Sequence, residues 1–113
     1  MGLAKKLRDK EELKKEKVKG FLKIDHDHED FYIELLINAA TQRAESYINR
    51  DWEDEEDIPA DITIGCLKAI ASWYETRTDD QQSQQAGYSN KQMGETPWAA
   101  QKLWALYRLE PGL

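Results

Sequence analysis

The stretch Asp57–Arg77, DIPADITIGCLKAIASWYETR, constrains the fold more than any other part of the 113-residue chain. Asp57 can accept hydrogen bonds from the first free N–H groups of a helix, Pro59 fits a first turn where its missing N–H costs nothing, and Asp61 complements the positive end of the dipole. On a wheel of about 100° per residue, Ile58, Ile62, Gly65, Cys66, Ala69, Ile70 and Trp73 form one stripe, which Leu67 and Tyr74 widen. Ile64 and Ala71 lie on another side, and only a narrow wedge of Asp61, Lys68, Ser72 and Glu75 is polar. A helix this apolar is either engulfed or shared with a partner, and so short a chain has few elements with which to engulf it.

A second helix is predicted from about Glu29 to Asn49. Its main stripe is Ile33, Leu36, Ile37, Ala40, Ala44, Tyr47 and Ile48, and Phe31, Tyr32, Leu35 and Ala39 make a further apolar strip that a lone monomer leaves partly exposed. From Thr78 to Glu95 the chain turns polar and Gln-rich without periodicity, which predicts a long loop of the kind that meets partners. A last helix opens with Thr96 as N-cap and Pro97 in its first turn, turns Ala99, Leu103, Leu106 and Tyr107 inward, and ends by Arg108 before Pro111-Gly112.

Ahead of these elements the composition matters. Residues 1–23 hold nine basic residues against four acids, a net of +5, and leave −11 for the rest of a chain whose total is −6. The bases alternate with Glu11, Glu12 and Glu16 at helical spacings, which favours a solvated helix over a DNA-binding arm. Leu3, Leu7 and Leu13 are the only apolar anchors before Val18, so residues 1–17 are expected to be a charged extension with a frayed early part. The domain proper, residues 18–113, is expected to begin at Val18, Phe21, Leu22 and Ile24, with a break near Gly20. Mean hydropathy is −0.83, but four Trp, five Tyr and two Phe supply enough apolar area for one modest core. The basic start has no apolar run behind it and Lys6 occupies the position where a myristoylation signal needs Ser or Thr, so neither export nor anchoring is expected.

Catalytic constellations fail on spacing. His26 and His28, among Asp25, Asp27, Glu29 and Asp30, stand two apart rather than four, and acids before a helix are expected from its dipole alone. Glu53 and Glu56 match half of a magnesium-binding ExxE pair, but Glu75 and Asp79 are four apart and do not complete it. Cys66 falls on the apolar stripe, where a cysteine is a small buried hydrophobe, and a single Cys allows no internal disulfide or thiolate zinc site. No phosphate loop, HExxH or GxSxG is present. The expectation is therefore no catalytic, cofactor-binding or metal-binding residue and no cofactor.

The predicted fold is all-α, a small bundle of three to four main helices with a long polar loop before the last and a charged N-terminal helical extension. Its predicted core is Ile33, Leu36, Ile37, Ala40, Tyr47, Ile62, Cys66, Ile70, Trp73, Leu103 and Leu106. Phe31, Tyr32, Leu35, Tyr88 and Met93 are the residues expected at an interface with another subunit or a partner protein.

Several segments, in this order, resemble the small head-tail connector (adaptor) proteins of tailed bacteriophages over roughly residues 18–108. They are Leu22 to Asp30, then Ala39-Ala40-Thr41, Ile58-Pro59-Ala60-Asp61, Ser72-Trp73-Tyr74-Glu75-Thr76-Arg77, and Thr96-Pro97 followed by Leu103-Trp104-Ala105-Leu106-Tyr107-Arg108. Gly65-Cys66 and Trp104 stand where that pattern usually has aliphatic residues. The resemblance implies a virion protein without catalysis. Copies would form a homo-oligomeric ring, about twelve by family precedent, under the portal protein of a packaged head. The ring would extend the DNA channel without binding DNA specifically and would join the head to a tail or stopper protein. No membrane is involved; assembly would occur in the host cytoplasm and the product would sit at the virion head-tail junction. Two other readings are a generic helical interaction module or nucleic-acid-associated regulator, marked by salt-sensitive DNA binding, and a metal-dependent nucleotide hydrolase, which the failed motif disfavours.

Overall fold

A computed structural model describes residues 2–50, 52, 57–82 and 96–108, with the backbone alone for 77–82. Among these residues there are five α-helices and no strand: α1 (Leu3–Arg8), α2 (Lys15–Leu22), α3 (Asp30–Ile48), α4 (Ala60–Gln82) and α5 (Trp98–Ala105), with a 3-10 turn at Glu11–Leu13 between α1 and α2. The all-α bundle expected from the sequence is the observed class. α3 and α4 pack together at its centre, α1 and α2 lie on α3, and α5 lies on α4 while also touching α3.

Each long helix has a physical start and stop. Pro59 directly precedes α4 and its carbonyl accepts the Ile62 N–H at 3.1 Å, a bond that needs nothing from the proline nitrogen. α3 ends at Asn49, whose left-handed backbone (φ 53°) suits asparagine and lets its N–H return to the Glu45 carbonyl. α2 runs through Gly20 and stops at Lys23, also left-handed, so the expected break lies three residues later. α4 continues five residues beyond Arg77, which makes Thr78–Gln82 helical rather than the start of a loop. Tyr88 and Met93, expected at an interface, lie outside the described residues, as do Glu53 and Glu56.

The α4 stripe from Ile58 to Trp73 is buried throughout, and so is the α3 stripe except Tyr47, which is half-buried. The N-terminal expectation is corrected. Leu3, Leu7 and Leu13 are completely or almost completely buried in the same core as Ile33 and Ile37, so α1 and the turn form a packed layer on α3. Arg8 fixes that layer by donating from Nη1 to Thr41 Oγ1 at 3.2 Å, and the Gly2 N–H donates to Glu45 Oε2 at 3.0 Å. Sparse leucines suffice because Leu3 and Leu7, one turn apart, line the inner side of so short a helix.

The face of α5 is corrected as well. Ala100 and Trp104 are buried, Leu103 is half-buried, Ala99 is exposed, and Leu106, predicted for the core, is 73% exposed. The inward side lies one residue from the predicted one because Trp104 seats its indole on Gly65 of α4. An ideal Cβ at position 65 would stand 2.9 Å from Trp104 Cδ1 and closer still to Nε1. Trp104 Nε1 donates to the Ile62 carbonyl at 3.1 Å, which satisfies the one polar atom of the buried ring. Pro97 occupies the N-cap position, and Thr96 makes no side-chain cap to the helix.

Candidate assembly surfaces

A charged corner sets the start of α3. Lys19 Nζ lies 2.8 Å from Asp27 Oδ1 and 2.7 Å from Asp30 Oδ1, and Lys15 Nζ lies 3.2 Å from Asp30 Oδ2 and 3.6 Å from Glu34 Oε2. The Lys19 hydrogen bond, with Lys15 assisting, holds the Asp30 carboxyl below its usual range, and both lysines are pushed up, chiefly by their bonds to these acids. This corner joins α2 to α3 and positions the outer face of α3. On that face Phe31 is 75% exposed, Leu35 is 46% exposed, and Ala39 is exposed one turn further on.

Tyr32, grouped with that strip by the sequence reading, is only half exposed. It packs on the core 6.4 Å from the ring of Tyr74, whose hydroxyl donates to Glu29 Oε1 at 2.6 Å. The outer strip is therefore narrower than expected, because α4 crosses the start of α3 and covers its near edge.

α5 supplies a second exposed apolar surface. Trp98 is 72% exposed with Lys102 Nζ 4.5 Å from its ring centre, and Leu106 projects from the other end of the same side. Interior contacts hold this helix in phase. Arg43 lies 5.6 Å over the Trp73 ring and donates from Nη1 to Thr96 Oγ1 at 2.9 Å, and Tyr107 donates to Asp61 Oδ2 at 3.3 Å. Burial is the main cause that pushes the Tyr107 hydroxyl up, and the Asp61 carboxylate adds to it. Sequence reasoning missed Trp104 and Ala100; their i, i+4 spacing with Tyr107 three residues on was the available signal.

Groups capable of chemistry are placed elsewhere. The Cys66 thiol is buried, pushed up to about 12 by desolvation, and directed at the Ala40 carbonyl 3.9 Å away. His26 and His28 stack at 4.9 Å on the exposed α2–α3 connection, and the His28 N–H donates to His26 Nδ1. Among the described residues no group of three or more His, Cys, Asp or Glu side chains is placed to hold a metal ion. An open groove of about 240 Å³ lined by Arg8, Leu13, Lys14, Lys15, Glu34, Ile37 and Asn38 lies where the N-terminal layer meets α3. None of the described helices is long and apolar enough to cross a membrane.

The fold is a small helical bundle that leaves two apolar ridges exposed. The chain belongs to the family of phage gp6-like head-tail connector proteins, whose sequence profile matches residues 15–108, well over half of its length. No curated protein and no solved structure matches it. Family membership gives the protein a structural role at a phage connector.

Proposed function

We propose that copies of this protein form a closed ring beneath the portal of a filled phage head, extend the DNA channel, and give the tail or stopper its docking platform. The observation that carries this reading is the family match over residues 15–108, and the two exposed apolar ridges support it. By family precedent the ring has about twelve copies, and cyclic closure requires each copy to offer two different patches. The net of −11 outside the first 23 residues suits a wall past which DNA slides, since tight phosphate binding needs clustered Lys and Arg. The protein acts without a chemical step of its own, assembles in the host cytoplasm, and ends at the head-tail junction of the virion. The connector domain is read as residues 18–113 with residues 1–17 an extension of it, although α1 and the 3-10 turn within that extension share the core under α3 and the family match begins at residue 15.

Electron microscopy of the protein mixed with portal particles from its phage tests this reading. Added ring density on the portal axis is the expected result. Portals that stay bare at saturating protein, or protein bound without cyclic order, would refute it.

A further inference from the structure

Among the described residues, six large hydrophobic side chains are exposed, and four of them sit on two helix ridges: Phe31 and Leu35 on α3, Trp98 and Leu106 on α5. Phe31, Leu35 and Ala39 follow one another at steps of four, and so do Trp98, Lys102 and Leu106. At about 1.5 Å per residue each ridge is about 12 Å long. Leu106 lies one residue past α5 but keeps helical backbone angles (φ −62°, ψ −23°), so the ridge reaches it unbroken. Rows at a spacing of four are the ones that interdigitate when two helices cross in their commonest packing. Charge is complementary as well: the α5 ridge carries Lys102 at its centre, and the exposed side of α3 carries Glu34 beside Leu35, its side chain still 56% exposed with Lys15 Nζ 3.6 Å from Oε2.

The geometry points to a direct contact between copies of this chain in which the α5 ridge of one, Trp98, Lys102 and Leu106, seats against the α3 ridge of the next, Phe31, Leu35 and Ala39. This inference rests on the connector reading and specifies its subunit contact. The two ridges belong to different elements of one copy, so the contact is heterologous and repeats from copy to copy as ring closure requires. It also gives a use to Trp98 and Leu106, which the seat of Trp104 on Gly65 leaves outside the core. The Lys102 ammonium over the Trp98 ring holds the indole on the outer side, where a neighbour can cover it.

The test uses two double variants of the full chain, Phe31→Ser with Leu35→Ser and Trp98→Ser with Leu106→Ser. All four side chains are exposed, so both variants should keep native helicity by circular dichroism and an unreactive Cys66. Sedimentation equilibrium should show wild type self-associating and each variant alone associating roughly thirtyfold or more weakly. Mixed in equal amounts the variants retain one intact α5 ridge and one intact α3 ridge between them, so they should form heterodimers and stop there. Normal association of either variant alone would overturn the pairing, as would a mixture that stays monomeric or grows past two copies. Wild type that remains monomeric up to about 1 mM would also overturn it, because the ridges would then be too weak to hold copies together. Rings on the portal in any of those cases would leave the connector reading standing and move the subunit contact elsewhere, whereas bare portals would remove the reading itself.

Discussion

Replacing Gly65 by Ala is a small change with a calculable cost. The new Cβ would stand 2.9 Å from Trp104 Cδ1 and 3.0 Å from Cε2, inside the roughly 3.5–4.0 Å of a comfortable carbon contact. The indole cannot slide freely, because its Nε1 is tied to the Ile62 carbonyl and its ring lies 6.2 Å from that of Tyr47. Overpacking of this kind costs about 1–3 kcal/mol, and an indole N–H pulled from its only acceptor adds about 1–3 kcal/mol. Helix propensity returns up to about 1 kcal/mol to Ala. With that gain returned, the net expectation is a loss of about 1–5 kcal/mol, which for a domain of this size lowers Tm by roughly 4–20 °C. Trp104→Leu alone opens a cavity over Gly65 and is expected to cost about 2–4 kcal/mol. The double variant, with a methyl group where the indole edge was, should regain at least about 1 kcal/mol relative to the sum of the singles. Thermal and denaturant unfolding of the four proteins completes the cycle. Strict additivity, or a Gly65→Ala protein as stable as wild type, would refute the seating of Trp104 on Gly65.

Other outcomes follow from the same contacts. Leu7→Ala should cost about 2–5 kcal/mol in denaturant unfolding, since Leu7 is completely buried, and an unchanged midpoint would return α1 to the status of a frayed arm. Leu106→Ser should leave that midpoint within about 0.5 kcal/mol, as befits an exposed side chain. The lowered Asp30 contributes stability above its ordinary 3.8 and loses it as pH falls below that value, while the raised Lys15 and Lys19 contribute below 10.5 and lose it above. Asp30→Asn should therefore flatten the acid limb of the stability profile below about pH 4, and an unchanged limb would dissolve the proposed corner. Cys66, with its thiol pushed up to about 12, should resist thiol reagents at pH 8 until denaturant unfolds the chain.

The α4 stripe was legible because two independent signals coincide there: a start marked by Pro59 and Asp61, and a period that places Ile62, Cys66, Ile70 and Trp73 on one side. α3 was legible for the same reason. The N-terminal layer was not, because three leucines scattered among lysines look the same whether the helix docks or floats. Only the presence of α3 beneath them decides it. α5 was misread because a rotation of one residue separates a face of Ala99, Leu103 and Leu106 from one of Ala100 and Trp104, and eight residues are too few for periodicity to choose. The choice is made by a residue on another helix. As for the outer strip, Phe31 and Leu35 are exposed as the pattern implied, whereas Tyr32 is partly covered by a tyrosine forty-two positions later in the chain, a relation no local window contains.

Gly65 and Trp104 lie on different helices, and in the structure they touch. The causal order runs from the smaller residue to the larger and then to the surface. A bare backbone at position 65 admits an indole, and the indole fixes which side of α5 faces α4. That phase turns Ala100 in while leaving Trp98 and Leu106 outside. A side chain at position 65 would push α5 away or rotate it, and in either case the outer ridge would lose its alignment before the core lost its helices. Gly65→Ala should therefore weaken self-association at temperatures well below its own unfolding transition, where circular dichroism still reports native helicity. Self-association that holds at the wild-type level until the transition begins would mean that the ridge is set independently of the Trp104 seat.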